Sequence, residues 1–142
     1  MAEKEIDDRF KKFGTISFTG ITKINDFIKY LEQGKVMTTR CKKCGKIFFP
    51  PRYDCYKDLS HDMEWVEVKG NGKLLSYSKL QVGPMGFEDD LPYTIAILDY
   101  GDFKVFGRIA NDVPESEIKI GKEMKTVSNK LSNGQINYVF RF

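Results

Sequence analysis

The chain has 142 residues, with 23 Lys and Arg against 20 Asp and Glu for a formal net charge of +3. That length accommodates one ordinary domain, or a main fold sharing the chain with a small stapled module, and folding should bury about two-thirds of the unfolded surface without help from a crosslink. The charge balance is too slight to mark a nucleic-acid binder. No apolar run reaches the length of a membrane span, and the acidic opening MAEKEIDD is the opposite of a signal peptide's basic entry, so a soluble, cytoplasmic protein is expected.

In chain order, Ile6, Phe10 and Phe13 recur at four and three residues among charges, which predicts a short helix over residues 3–13 that needs another surface to lie on. Residues 14–23 read as an extended connector. A second helix is marked by Asn25 as a cap, by Ile24, Phe27, Ile28 and Leu31 on one face, and by Gly34 as a stop. Its apolar stripe either packs on the main domain or docks a partner, and periodicity does not separate the two.

From residue 63 onward the pattern becomes short strands between turn signals. Trp65, Val66 and Val68 lead into Gly70-Asn71-Gly72, predicting a first hairpin with residues 73–82. Residues 93–98 and 103–109 flank Tyr100-Gly101-Asp102 as a second. Residues 124–131 and 136–142 flank Ser132-Asn133-Gly134-Gln135, whose Asn-Gly pair suits a type I′ turn, as a third. Five to six antiparallel strands in about eighty residues are best housed in a small closed barrel of OB type, because closure removes exposed edges.

Between the helices and the strands lies TTRCKKCGKIFFPPRYDCYKDLS, which holds all three cysteines. A Cys-x2-Cys turn places two thiolates on one zinc ion, and Cys41 and Cys44 have that spacing. Gly45 follows at once and supplies the positive φ that lets backbone amides point at sulfur. Cys55 opens a second knuckle of the same spacing that ends in Asp58. The fourth ligand is Asp58, His61, which is the one histidine, or a water. Three thiolates and a carboxylate around Zn²⁺ leave an excess negative charge that Lys42, Lys43, Lys46, Arg52 and Lys57 could neutralise. With four protein ligands no position remains for an activated water, so the site reads as structural. The odd, clustered cysteines argue against a disulfide framework.

Cys41-x2-Cys44-Gly45, Phe49-Pro50-Pro51-Arg52, Cys55, Trp65, Pro92-Tyr93 and Gly107-Arg108-Ile109 together resemble the acyl-CoA-associated proteins that carry a rubredoxin-like zinc ribbon followed by an OB-fold barrel. The leader Phe13-Gly14-Thr15-Ile16-Ser17-Phe18 and Asn25-Asp26-Phe27 are similar to the archaeal branch associated with acetoacetyl-CoA thiolase and hydroxymethylglutaryl-CoA synthase in the mevalonate route to isoprenoids. The resemblance implies a mainly β protein: an N-terminal helical segment (1–36), a zinc ribbon (37–62) and an OB-fold barrel (63–142). It also implies structural Zn²⁺ and a non-catalytic subunit that holds the two enzymes together while acetoacetyl-CoA passes between them. Asp58 departs from the family's usual fourth cysteine.

For such a scaffold the expected partner-binding residues are Phe27, Ile28 and Leu31 on the helix and Ile47, Phe48 and Phe49 in the ribbon, since a five-residue apolar run beside a tiny metal module has little core of its own to enter. Arg52 and Phe87 are candidates for contact with the CoA part of a substrate, which the partner enzymes could equally supply. The acidic Glu88-Asp89-Asp90, flanked by Gly and Pro, reads as solvated loop rather than as an acid and base pair, and no nucleophile with a base is evident. A single-stranded nucleic-acid binder is the competing reading, with Tyr77, Tyr93, Phe103 and Phe106 as stacking groups, but the barrel's basic residues are interleaved with acids.

Overall fold

The computed structural model describes residues 6–17 and 21–142. The β-branched and aromatic alternation after residue 36 forms two separate β structures. The first is a three-stranded antiparallel sheet of order β2-β1-β3, from β1 (Met37–Cys41), β2 (Ile47–Phe48) and β3 (Met63–Glu67). The second is a closed barrel of order β4-β5-β6-β8-β7, from β4 (Gly72–Leu80), β5 (Tyr93–Asp99), β6 (Lys104–Ile109), β7 (Glu123–Lys130) and β8 (Ile136–Arg141). Among the described residues no helix is long and apolar enough to cross a membrane.

Alternation decides what fills the barrel. Leu74, Ala96, Leu98, Val105, Met124 and Phe140 point inward and are buried, and Ile118 from the β6–β7 connection joins them. Two glycines let aromatic rings approach the sheet. A Cβ on Gly72 would lie 2.8 Å from the Tyr100 ring, and one on Gly107 would lie 2.8 Å from Tyr138 Cε2 and 3.0 Å from Phe140 Cζ.

The expected second and third hairpins are present, β5 with β6 and β7 with β8. The β7–β8 turn is not type I′, however. Gly134 alone takes positive φ, 85°, while Leu131 accepts the Gly134 amide and donates its own to Gln135 O, giving a longer loop. The expected first hairpin does not form. β3 pairs along its whole length with β1, from Met37↔Glu67 to Cys41↔Met63, and so belongs to the ribbon sheet rather than to the barrel. The Gly70-containing turn carries the chain from one sheet to the other, because the free edge of β1 offers β3 a five-residue ladder.

The N-terminal expectation is also corrected. Residues 3–5 of the predicted helix lie outside the described residues, and the rest forms a 3-10 turn, Arg9–Lys12. The Asp7 carboxylate takes both the Arg9 guanidinium and its backbone amide, a local pairing that competes with helical hydrogen bonds. Phe10 is buried and Phe13 packs beside it, whereas Ile6 is exposed. Asn25 precedes α1 (Asp26–Glu32) but makes no side-chain cap; its Nδ2 turns back to Thr22 O.

Of the two fates open to the stripe on α1, the structure has the inward one. Phe27, Ile28 and Leu31 are 2%, 0% and 1% exposed and belong to the barrel's own core cluster, so they are not a docking face. The Leu31 carbonyl accepts the Ser128 hydroxyl of β7 at 2.6 Å, fastening the helix end to the barrel. Phe27 stands at the centre of a ring cluster, with Phe10, Phe13, Phe49 and Tyr138 centroids at 6.1, 5.8, 6.4 and 6.3 Å. A buried phenyl with that many ring partners contributes by area and by edge contacts. Phe27→Ala is therefore expected to cost about 3–5 kcal/mol, measured by denaturant unfolding of the full chain, with the midpoint moving and little change in slope.

Candidate metal centre

The two knuckles are copies of one loop. In the first, the Cys41 amide donates to Lys46 O at 2.9 Å and the Gly45 amide to Cys41 O at 2.8 Å. In the second, the Cys55 amide donates to Ser60 O at 2.9 Å and the Leu59 amide to Cys55 O at 2.8 Å. Cys41 thus corresponds to Cys55, Cys44 to Asp58 and Gly45 to Leu59. Gly45 has φ 75° and Leu59 has φ 59°, the one non-glycine with positive φ among the described residues. The turn demands left-handed backbone at its fifth position, and the second knuckle meets that demand with a residue that resists it.

The Cys41, Cys44 and Cys55 sulfurs and an Asp58 carboxylate oxygen all lie within 4.8 Å of one another. Cys44 Sγ is 3.7 Å from Cys55 Sγ, and Cys41 Sγ is 3.3 Å from Asp58 Oδ2. Donors on a tetrahedral zinc, at bond lengths of 2.0 to 2.3 Å, stand about 3.3–3.8 Å apart, so the donor set suits zinc in number and type, and these two separations fall in its range. Asp58 presents Oδ2 to the cluster while Oδ1 accepts the Ser60 amide at 2.9 Å, which fixes the carboxylate's orientation. His61 lies outside the donor group, its ring 5.8 Å from that of Tyr53.

Backbone amides prepare two of the ligands, Cys44 and Asp58, for their charged forms. The Lys46 amide holds the Cys44 thiol below its ordinary value, and the Ser60 amide does the same for Asp58. At Cys41 the Cys44 amide pulls the thiol down, but burial and the facing Asp58 outweigh it and leave it raised to about 11. The expected neutralising cations are nearby. Lys46 lies 4.7 Å from the centre of the Tyr56 ring, its ammonium favoured first by the Tyr56 hydroxyl and then by the Cys44 and Cys55 charges, and Arg52 lies 5.5 Å from the same ring. Lys42 pairs with Asp62. A metal here would draw the two knuckles together and hold β1 and β2 against residues 55–60.

The apolar run beside the centre turns inward as well. Phe48 is 6% exposed in a small core with Cys41 and Cys55, and Phe49 packs on the Tyr138 ring at 5.2 Å and on Phe27. Both were expected to meet a partner; the chain's own ribbon and barrel take them instead, since each ring finds an apolar surface within reach. Ile47 is half-buried on β2. The two residues expected at CoA are separated: Arg52 lines a cavity of about 140 Å³ with Tyr53 and His61, and Phe87 lines another of about 450 Å³ on the barrel.

Asp90 is not solvated as the loop composition predicts: it accepts both the Thr15 hydroxyl and Arg108 Nη1, the latter at 2.8 Å. Burial would raise its carboxyl, but the Thr15 and Arg108 hydrogen bonds outweigh that and hold it below its usual range. Arg108 in turn covers the Tyr93 ring, with its Cζ 3.8 Å from the centroid. No local pattern announces this link, because its three members are 75 and 18 residues apart.

Two substitutions test the centre. Asp58→Cys is expected to retain or raise the zinc content by elemental analysis and, with Co²⁺, to increase thiolate charge-transfer absorption by about a third, while Asp58→Ala lowers metal content. Leu59→Gly relieves the left-handed backbone at a side chain that is 79% exposed and has little packing to lose. It should strengthen metal retention against a chelator by about 0.5–1 kcal/mol, the strain relief being partly offset by the entropy of glycine.

Comparison with known proteins agrees with this construction. The ChsH2 rubredoxin-like zinc ribbon domain matches residues 29–64 and the ChsH2 C-terminal OB-fold domain matches residues 65–129. A DUF35 domain-containing scaffold protein of Methanocaldococcus jannaschii is 33% identical over 109 residues, 72% of this chain and 77% of that one. The benzoylsuccinyl-CoA thiolase subunit BbsA of Geobacter metallireducens is 32% identical over 75 residues, 52% of this chain and 49% of that one. Among solved structures, the Ltp2-ChsH2(DUF35) aldolase superposes with a TM-score of 0.64 at 23% identity, covering 80% of this chain and 88% of that one, and so shares the fold. With a zinc-ribbon sheet that ends in a Cys3Asp donor set and a five-stranded OB barrel behind it, the chain belongs to the ChsH2/DUF35 family.

Proposed function

We propose that this chain is a non-catalytic scaffold subunit that holds acetoacetyl-CoA thiolase and hydroxymethylglutaryl-CoA synthase together in the mevalonate pathway, so that acetoacetyl-CoA passes from one to the other. The observation that carries the non-catalytic half is the closed donor set: four protein ligands leave a metal no open position for water. The one histidine rests against Tyr53, Glu88 accepts the Gly86 amide, and Asp90 accepts Thr15 and Arg108. Relatives named as scaffold proteins and as a thiolase subunit support the choice of partner class. The synthase and the pathway rest on the motif resemblance of the leader and first helix.

The nucleic-acid alternative loses two of its four stacking groups. Tyr93 is covered by Arg108 and Phe103 stacks on Tyr100 at 5.2 Å with nearly parallel planes, leaving Tyr77 and Phe106 exposed.

Coexpression of the three proteins followed by gel filtration and native mass spectrometry at moderate salt tests the proposal. A single species containing all three is expected, and removing this chain should leave thiolase and synthase eluting apart. Elution of the chain by itself, or a thiolase–synthase complex that forms without it, would overturn the reading.

A further inference from the structure

The four donors of the centre divide into two facing pairs, and each pair spans the two knuckles. Cys44 Sγ faces Cys55 Sγ at 3.7 Å, and Cys41 Sγ faces Asp58 Oδ2 at 3.3 Å. The pairing follows from the copied loop: the fourth position of each knuckle meets the first position of the other. With cysteine at all four positions, both pairs could close into disulfides. Asp58 leaves this chain with one pair that can, because a carboxylate brings no sulfur to the bond.

The three thiols also differ in access. Cys44 is exposed, whereas Cys41 and Cys55 are 0% and 1% exposed in the small core with Phe48. An oxidant arriving from solvent therefore meets Cys44 first, and oxidation of thiols is selected by exposure together with thiolate character. The sulfur that Cys44 faces belongs to the other knuckle, to Cys55, while Cys41 has the Asp58 carboxylate before it. Closing the gap between Cys44 and Cys55 to the length of a disulfide requires a movement of less than about 2 Å.

We infer that Cys44 and Cys55 form a redox-sensitive staple: hydrogen peroxide joins them in a disulfide, zinc is released, and the new bond keeps the two knuckles together. In the first step the Cys44 thiolate attacks one peroxide oxygen. An S–O bond forms, the O–O bond breaks, and the departing hydroxide takes a proton from solvent. In the second step the Cys55 thiolate attacks the sulfur of the Cys44 sulfenic acid. The S–S bond forms, the S–O bond breaks, and a second hydroxide leaves and is protonated. Two electrons pass from the two sulfurs to the peroxide, which ends as two molecules of water. Cys41 and Asp58 remain as donors, two where zinc takes four. The disulfide spans the same two loops as the four donors, so residues 55–60 stay against β1 and β2, and the packing of Phe49 on Tyr138 is untouched. A dithiol reductant reverses the bond and restores the donor set. The inference is independent of the scaffold reading.

The test uses the full chain loaded with zinc and treated with a small excess of hydrogen peroxide. A colorimetric chelator should report release of the metal, and thiol titration should find one of the three thiols left. Alkylation followed by peptide mass mapping should place the disulfide between Cys44 and Cys55, with Cys41 alkylated. Amide hydrogen exchange in residues 41–60 should stay close to that of the zinc-bound chain, whereas stripping the metal under reducing conditions should speed it by at least about tenfold. A dithiol reductant with added zinc should return both metal and thiols. Asp58→Cys supplies the second facing pair and should lose all its thiols to two disulfides; a single disulfide there would count against the pairing. A Cys41–Cys44 disulfide, metal retained while the peroxide is consumed, or knuckle amides exchanging as fast as in the stripped chain would each overturn the inference. So would a chain that takes up no zinc.

Discussion

The contact on which the rest depends is the aromatic joint between Phe27, Phe49 and Tyr138. Phe49 comes from the ribbon, Phe27 from the helix and Tyr138 from the last barrel strand, and the three meet edge to face at 5.2 to 6.4 Å. A sheet of three short strands has almost no interior, so it gains stability chiefly by lending a ring to a larger core. Tyr138 serves both sides: its ring packs on Phe49 and Phe13, its hydroxyl donates to Phe106 O at 2.7 Å, and burial pushes its phenol up, so it remains a donor. Gly107 is what lets the ring lie so close to the sheet.

The metal centre complements that joint at the opposite end of the ribbon. One end is fastened by hydrophobic contact, the other by four donors on two copies of one loop, and β1 runs between them. The copies differ where their chemistry can tolerate it. Exchanging a thiolate for a carboxylate at Asp58 keeps the charge of the donor set, and the Ser60 amide orients the substitute. Leu59 in place of a glycine is harder to rationalise locally: its side chain is largely exposed and its backbone is left-handed, so the loop tolerates strain at its tip.

Besides the buried helix stripe and ribbon phenylalanines, the barrel carries a third long-range tie. There the Thr15–Asp90–Arg108 link joins the N-terminal strap, the β4–β5 loop and β6, and it forms the wall between an apolar cavity and the more polar ones beyond Asp90. A cation held over tyrosine at 3.8 Å, with most of its donors still unused, is a rigid group presented at an apolar surface.

What the sequence by itself determined is what short-range chemistry decides. Cys-x2-Cys followed by glycine has one good use, the hairpins β5–β6 and β7–β8 are closed by nearby turn residues, and Gly34 takes the left-handed φ of 80° that ends α1. Each of these depends on neighbours within about ten residues, so residue type and spacing carry the information. What only the tertiary structure decided are pairings between distant segments. β3 joined β1 rather than β4, the apolar stripe of α1 turned to its own barrel, and Asp90 left the solvent for Arg108 and Thr15. An apolar stripe or a carboxylate reads the same whether its partner is water, another protein or a strand a hundred residues away. The choice is made by which surface comes within reach when the chain closes.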